Sequence, residues 1–122
     1  MDEYKYQDIT GQIINAAHTV HNTLGYGFLE KVYHNALVIE LNKKNLRVES
    51  EKQYNVYYDN KMAGEFFADI VVDKKVIVEI KATDKYIPLF EAQLLNYLKV
   101  SGLEVGLILN FGPSVQVKRM VL

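Results

Sequence analysis

Apolar residues recur at helical spacing through the first third of the chain. Between Thr10 and Leu24 they fall three or four positions apart, which predicts a helix with Thr10 as its N-cap and Gly25 as its C-cap. A second stripe with the same period begins near Phe28, and Gly25 and Gly27 mark the break between the two stripes. This part of the chain therefore predicts two consecutive helices.

Runs of β-branched and aromatic residues replace this pattern from Arg47 onwards. The runs at 47–59, 64–72 and 75–82 predict three consecutive strands, with a turn at 59–61 between the first two. We expect the first of these strands to bend near residues 53–55.

Helical spacing returns over residues 87–102, with Pro88 near the first turn and Gly102 just past the end. The nearly all-apolar run at 104–111 predicts a strand covered on both faces, and the alternating run at 115–122 predicts an edge strand. The element order, α-α-β-β-β-α-β-β, predicts a single α/β domain over residues 1–122, built as a sandwich around one mixed sheet.

Three charged residues, Asp69, Glu79 and Lys81, interrupt strands that otherwise carry apolar side chains. A three-residue hairpin loop at 73–75 would place Asp69 opposite Glu79, and Phe67 opposite Lys81, all on one face of the sheet. Opposed Cβ atoms lie about 5 Å apart, a spacing that suits two carboxylates sharing one metal ion.

Two alternatives stay open for these charged residues. A two-residue loop would put Asp69 and Glu79 on opposite faces of the sheet, which would rule out a shared metal. Glu79 and Lys81 could also form an ordinary exposed polar face and pair with each other along the strand.

Composition narrows the chemistry without deciding the partner. The 122 residues include 14 basic and 15 acidic ones, so the basic excess typical of a domain that only binds nucleic acid is missing. A metal held by carboxylates would supply positive charge where a phosphate must sit. The lack of cysteine excludes disulfides and thiolate metal sites. No apolar run approaches the roughly 20 residues of a membrane span, and the polar N-terminus is unlike a targeting peptide, so we expect a cytoplasmic protein without membrane contact.

Several short motifs follow one another in a fixed order. Asp69 is followed, after nine residues, by Glu79-Ile80-Lys81, a pattern that resembles the PD-(D/E)XK nuclease superfamily. Gln93 and Tyr97 reproduce the Gln-x-x-x-Tyr signature of its exonuclease-like branch. Gly27, Glu30 and Tyr33 match the Gly-x-x-Glu-x-x-Tyr signature of a family of small proteins, the GxxExxY family, within that superfamily. Ala68 departs from the Pro in the superfamily's name, at a position that varies widely.

The resemblance implies a restriction-endonuclease-like fold and a metal-dependent nuclease that acts on DNA, with RNA as the second choice. It implies Mg²⁺ or Mn²⁺ as the cofactor, since hard oxygen ligands suit both ions. The implied metal ligands are Asp69, Glu79, the backbone carbonyl of Ile80, and Glu30. The implied catalytic set is Glu30, Asp69, Glu79, Lys81, Gln93 and Tyr97.

The resemblance also suggests roles for the last three residues of that set. Lys81 would orient the attacking water or offset charge in the transition state. Gln93 would form a hydrogen bond near Lys81 and the phosphate, and Tyr97 would contact or position the nucleic-acid backbone. The two side chains project from one face of their helix because they are four residues apart.

Structural interpretations stand beside these functional ones. Glu30, in the first turn of its helix, can simply complement the helix dipole. Tyr97 can be a core aromatic with Gln93 on the surface, Tyr33 is expected to pack, and Gly27 is expected to supply an unusual backbone conformation. His18 and His21 have the spacing of metal ligands but no third ligand close in sequence, so surface or packing roles are expected for both.

Other functions also stay open. A nuclease-like fold can serve as a binding or regulatory module without catalysis, which the near-zero net charge and small size favour. The complete set of acids and lysine argues against that alternative, since a non-catalytic module has no need of buried charge. Hydrolysis of a different phosphate substrate on the same scaffold is the third hypothesis. A homodimer that pairs through the terminal strand at 115–122 is a further one.

Overall fold

Three helices and five strands follow one another along residues 5–122, in the predicted order α-α-β-β-β-α-β-β. The structure is a computed structural model that describes residues 5–122. Residues 1–4, which belong to the polar N-terminus noted above, lie outside the described residues. The helices are α1 (Gln7–Leu24), α2 (Glu30–Lys43) and α3 (Leu89–Ser101), and the strands are β1 (Val48–Tyr58), β2 (Lys61–Val72), β3 (Val76–Lys81), β4 (Val105–Phe111) and β5 (Val115–Val121).

The five strands form one mixed sheet in the order β1-β2-β3-β4-β5. All neighbours are antiparallel except β3 and β4, which are parallel and connected by α3. Every residue of β4 is buried, as predicted for a strand covered on both faces, and β5 lies at the edge, also as predicted. The domain is a restriction-endonuclease-like α/β sandwich with helices on both faces of the sheet.

Two hydrophobic cores fix the helices to the sheet. On one face, α1 and α2 pack through residues such as Ile13 and Leu37 against the apolar side of β3, which carries Val76, Val78 and Ile80. A smaller core on the other face holds α3. No helix within residues 5–122 is long and apolar enough to span a membrane.

The predicted start of α1 at Thr10 is wrong. The helix begins at Gln7, after Tyr6 in the left-handed conformation (φ 55°), and Thr10 lies inside it. The Thr10 hydroxyl donates a hydrogen bond to the Gln7 carbonyl (3.2 Å), the bond of a threonine inside a helix, whereas the oxygen of an N-cap threonine would accept from a backbone amide further along the chain. The predicted ends at Gly25 (φ 75°) and Gly102 (φ 79°) are confirmed.

The loop between α1 and α2 has an unusual backbone at Gly27 (φ 109°), as expected. Tyr33 is fully buried and holds this loop: its hydroxyl donates to the Gly25 carbonyl (2.6 Å) and accepts from the Phe28 amide (3.3 Å). The Tyr33 ring stacks on Phe111 at a centroid distance of 4.7 Å. Helix α2 therefore begins at Glu30, two residues after the predicted start, because Tyr33 holds the preceding segment in a loop.

The first β-hairpin loop is one residue shorter than the predicted turn at 59–61, because Lys61 already belongs to β2, and the second has the predicted position. Asp59 and Asn60 form a two-residue turn with positive φ angles of 52° and 61°, and Tyr58 pairs with Lys61. The loop between β2 and β3 has the predicted three residues, because Val72 pairs with Val76.

Strand β1 is irregular at a different place from the one predicted. The expected bend near residues 53–55 is absent from β1; instead Glu51 has a left-handed backbone (φ 52°) and the register shifts between Val56 and Tyr57. The predicted pairing of Phe67 with Lys81 is also wrong. The pairing of β2 with β3 ends at Ile70 and Val78, so Phe67 has no partner in β3; it pairs only with Gln53 of β1, with which β2 continues as a two-stranded ribbon.

Candidate active site

Strands β2 and β3 separate at Asp69 and Glu79. The backbone pairing between these strands ends at Ile70 and Val78. At the next position the Asp69 amide donates to Glu79 Oε2 (3.0 Å), and the Ile80 amide donates to Asp69 Oδ2 (2.7 Å). Two carboxylates thus take the acceptor positions that backbone carbonyls fill in a regular ladder. This brings Asp69 and Glu79 together, and the three-residue loop supplies the register.

Both carboxyl groups are held where ionisation is costly. Glu79 is only 6% exposed, so the interpretation of an exposed polar strand face is wrong for this residue. Burial, followed by the charge of Asp69, raises the pKa of Glu79 to about 8. Burial likewise raises the pKa of Asp69, against the opposing effect of the Ile80 amide. A cation between the two carboxylates would remove this cost.

Each carboxylate keeps one oxygen free for such a cation. Oδ1 of Asp69 and Oε1 of Glu79 form no hydrogen bond with any residue in the 5–122 range. In that same part of the chain, no three His, Asp or Glu side chains converge tightly enough to ligate a metal by themselves. The donor chemistry therefore suits an ion such as Mg²⁺, which keeps several waters and takes only one or two carboxylates.

Lys81 and Gln93 also meet, as the sequence predicted. Lys81 Nζ lies 3.4 Å from Gln93 Oε1, so β3 and α3 contribute adjacent side chains. The ammonium also lies 4.8 Å from the centroid of the Phe90 ring, a cation–π contact that restricts the long side chain. The lysine is thereby directed from the strand towards the N-terminal half of α3.

The ring of Tyr97 is packed against neighbouring aromatic rings, as the structural interpretation of this residue expects. Its ring stacks on Phe66 with centroids 4.1 Å apart and planes within 8°, and Phe66 in turn lies against Tyr54. Burial, with smaller effects from the charges of Glu79 and Asp69, raises the pKa of the Tyr97 hydroxyl. The ring therefore fastens the β1–β2 ribbon to α3, while the hydroxyl lies close enough to the acids to sense their charge.

Glu30 lies on the opposite side of Asp69 from α3. It is the first residue of α2 and lines a cavity of about 440 Å³ together with Asp69. Loss of solvent around its carboxyl and the charge of Asp69 raise the pKa of Glu30, while Lys81 lowers it. The Glu30 carboxyl is thus electrostatically coupled to the site from the first turn of α2.

Three residues beside this site, Lys31, His34 and Glu51, were not predicted from the sequence, and Phe67 was placed on the face of Asp69 without a role in the site. His34 had a usable signal, because a residue four positions after Glu30 shares its face of α2. Glu51 had none, since the left-handed backbone that turns it towards Lys31 is unusual for a residue inside a strand.

The two histidines of α1 are not part of the site. His21 Nε2 lies 2.9 Å from the Gly112 carbonyl oxygen, and its ring stacks near Phe111. His18 is exposed. These positions agree with the expected packing and surface roles.

Comparison with known proteins shows the family and the fold of the chain. A family model described as the PD-(D/E)XK nuclease superfamily matches residues 7–120. The structure is similar to the crystal structure of SSO0001, with a TM-score of 0.59 and 20% sequence identity. The match covers 98% of this chain and 58% of SSO0001, so the chain spans a little over half the length of that protein. A search of curated proteins gave no significant match.

Proposed function

The chain belongs to the PD-(D/E)XK nuclease superfamily, and on this premise we propose that it is a Mg²⁺- or Mn²⁺-dependent nuclease. Its proposed substrate is DNA, with RNA second. The observation that carries the proposal is the reciprocal hydrogen bonding of Asp69 and Glu79 with each other's strands. These bonds hold two carboxyl groups side by side where their ionisation is unfavourable. Acids with strongly shifted pKa values cluster at functional sites, because two buried carboxyl groups side by side do not stabilise a sheet.

The proposed metal ligands are the free oxygens of Asp69 and Glu79 and the backbone carbonyl of Ile80, and Glu30 of α2 is proposed as an additional ligand of the metal or of a water bound to it. A bound divalent cation would polarise the scissile phosphate and lower the pKa of a water molecule. Of the protein groups, Asp69 and Glu79 are already positioned by backbone amides, so they need little rearrangement to bind an ion.

Lys81 is proposed to orient the attacking water and to offset negative charge in the transition state. Gln93 Oε1, 3.4 Å from the ammonium, restricts where that charge can lie. Tyr97 is proposed to position the substrate backbone from α3, with its ring fixed by Phe66. Phosphoryl transfer depends mainly on such positioning and on charge stabilisation.

We also propose that the chain belongs to the GxxExxY family within the superfamily. Support comes from the three residues of that signature: Gly27 has the positive φ angle that favours glycine, Tyr33 closes the loop around it, and Glu30 faces the candidate site. A cytoplasmic location and a homodimer through the edge strand β5 are further proposals, and size-exclusion chromatography with light scattering tests the latter.

Calorimetric titration with Mn²⁺ tests the site, and a cleavage assay tests the activity. We expect wild type to bind the ion, Asp69→Asn and Glu79→Gln to lose binding, and the exposed Asp84→Asn control to bind normally. Wild type should then cut DNA with Mg²⁺ or Mn²⁺, and both site variants should not. Metal binding without cleavage of any nucleic acid would instead support a binding or regulatory module, and failure of wild type to bind would overturn the metal site.

A further inference from the structure

The cavity beside Asp69 is lined by several side chains that the proposed hydrolysis does not use. It measures about 440 Å³ and lies between α2 and the β1–β2 ribbon. This volume falls within the range of ordinary small-ligand sites. Its lining residues are Glu30, Lys31, His34, Glu51, Phe67 and Asp69. The proposed function uses the two acids Glu30 and Asp69 and leaves the other four without a role.

Phe67 gives this cavity an aromatic surface. The side chain is 51% exposed, although its neighbour Phe66 is packed between Tyr54 and Tyr97. Phe67 also precedes Asp69 by two residues on β2. An exposed ring beside carboxylates has no packing function, but it offers a face on which a nucleobase can stack.

His34 and Lys31 give the cavity hydrogen-bond donors. His34 is only 7% exposed, and the one hydrogen bond that its side chain makes within the described part of the chain is a long contact from Nε2 to Ser50 Oγ (3.4 Å). A buried imidazole with so weak a partner has capacity to donate to a ligand. Lys31 extends its ammonium to Glu51, 2.7 Å away.

Glu51 holds that lysine at the edge of the cavity. Its backbone is left-handed (φ 52°), a conformation that is strained for a glutamate, and the register of β1 and β2 leaves out both Glu51 and the facing Asp69. The ion pair neutralises an acid that would otherwise repel a phosphate. It also places the Lys31 charge on the same side of Asp69 as His34.

We propose that this cavity binds one unpaired nucleotide next to the scissile phosphate, with its base against Phe67 and its phosphate near His34 and Lys31. This assignment rests on the proposed nuclease function and specifies its substrate class. A base that is stacked and paired in a duplex cannot reach such a cavity without leaving the helix. The protein should therefore prefer single strands or frayed ends.

Tryptophan fluorescence tests the base-binding surface directly, because the chain contains no tryptophan. In Phe67→Trp the introduced residue is the only tryptophan. A 12-nucleotide single-stranded DNA in Ca²⁺ buffer should quench its fluorescence, and the quenching should reach saturation. A matched blunt duplex should need at least about 10-fold higher concentration for half quenching. Tyr58→Trp, at a position 79% exposed at the far end of the ribbon, is the control and should not respond.

The affinities of further variants test the remaining contacts. They are measured by fluorescence anisotropy of the labelled single strand in the same buffer. Phe67→Ala should weaken binding about 10-fold, and His34→Gln and Lys31→Ala several-fold each. His18→Gln and Lys43→Ala, which change exposed residues on α1 and α2, are the controls and should bind like wild type. The RNA strand of the same sequence distinguishes the two kinds of unpaired nucleotide.

The outcomes separate this inference from the nuclease proposal. Equal affinity for duplex and single strand, or quenching at Tyr58→Trp equal to that at Phe67→Trp, would overturn the cavity assignment even if the protein cuts DNA. Selective binding that is lost in Phe67→Ala, in a protein that cuts nothing, would keep the cavity assignment and overturn the nuclease. Circular dichroism of each variant excludes loss of folding as the cause.

Discussion

A carboxyl group that is buried beside another acid links the pH of the solution to the stability of the fold. The pKa of Glu79 is about 8 in the folded chain, compared with its ordinary value of 4.5. Between these values the folded protein holds a proton that the unfolded chain has released. The free energy of unfolding therefore falls as pH rises, and this part of the stability is fully present only below about pH 4.5.

We accordingly predict that the metal-free protein loses stability between pH 5 and pH 8. The slope from this one group cannot exceed about 1.4 kcal/mol per pH unit, and Glu79→Gln should remove most of it. Urea unfolding in EDTA at several pH values measures the slope, with Asp84→Asn as the control. An unchanged slope in Glu79→Gln would show that the ionisation of Glu79 does not cause the loss of stability.

Lys81 is predicted to act on the reaction more than on binding. Lys81→Met keeps much of the apolar stem over Phe90 and removes the charge, so the fold should persist. We expect kcat to fall at least about 100-fold with little change in KM, as for the loss of a group that acts in the transition state. The same assay on Lys85→Met, which changes an exposed lysine, should give wild-type rates. Equal losses in both variants would contradict a specific role.

Helix α3 is placed over the sheet by Gly106 of β4. A Cβ atom at this position would lie 2.7 Å from Cδ1 of Leu94, which is fully buried in the core beneath α3. The close approach matters for the site, because α3 also carries Gln93 and Tyr97.

Gly106→Val is therefore predicted to destabilise the domain by about 2 kcal/mol, as overpacking of a core usually does. It should also raise the KM or lower the kcat of any nuclease activity, to the extent that the displaced Leu94 side chain moves α3. Gly64→Val is the matched control: it lies in β2 with no atom within 4 Å of the added Cβ, and we expect less than about 0.5 kcal/mol there. Urea unfolding of both variants gives the comparison, and similar values would show that α3 shifts freely.

The order and type of the elements could be predicted from the sequence, because a helix or strand with one buried face repeats its apolar residues at a characteristic spacing. The hairpin register was accessible too, since Val72 and Val76 frame a loop of fixed length, and it places Asp69 beside Glu79. The start of α1 was not, because threonine is common at caps yet also occurs inside helices, where its hydroxyl donates to the carbonyl of the preceding turn as Thr10 does. The left-handed Glu51 and the early separation of β2 from β3 depend on contacts between elements, so no local pattern contains them.

At the scale of the whole molecule, the balance of charge limits how nucleic acid can bind. With 14 basic and 15 acidic residues, the domain has no general excess of positive charge to neutralise a phosphate backbone. Two basic side chains of the described residues lie at the candidate site: Lys31, which is paired with Glu51, and Lys81, which lies beside Gln93. Binding must therefore depend on few phosphate contacts, together with base stacking.

We therefore predict that the affinity for single-stranded nucleic acid depends only weakly on salt concentration. Two phosphate contacts on a single strand give a slope of about −1.4 for the logarithm of the association constant against that of the salt concentration, whereas an extended basic interface with 6–10 contacts gives roughly −4 to −7. Anisotropy titrations of a single-stranded DNA at several KCl concentrations and constant Ca²⁺ measure it. Lys31→Ala should reduce the slope by about 0.7, the value for one contact, and Lys43→Ala should leave it unchanged. A slope steeper than about −4 would mean that the substrate meets a larger basic surface than the charges around Asp69 provide.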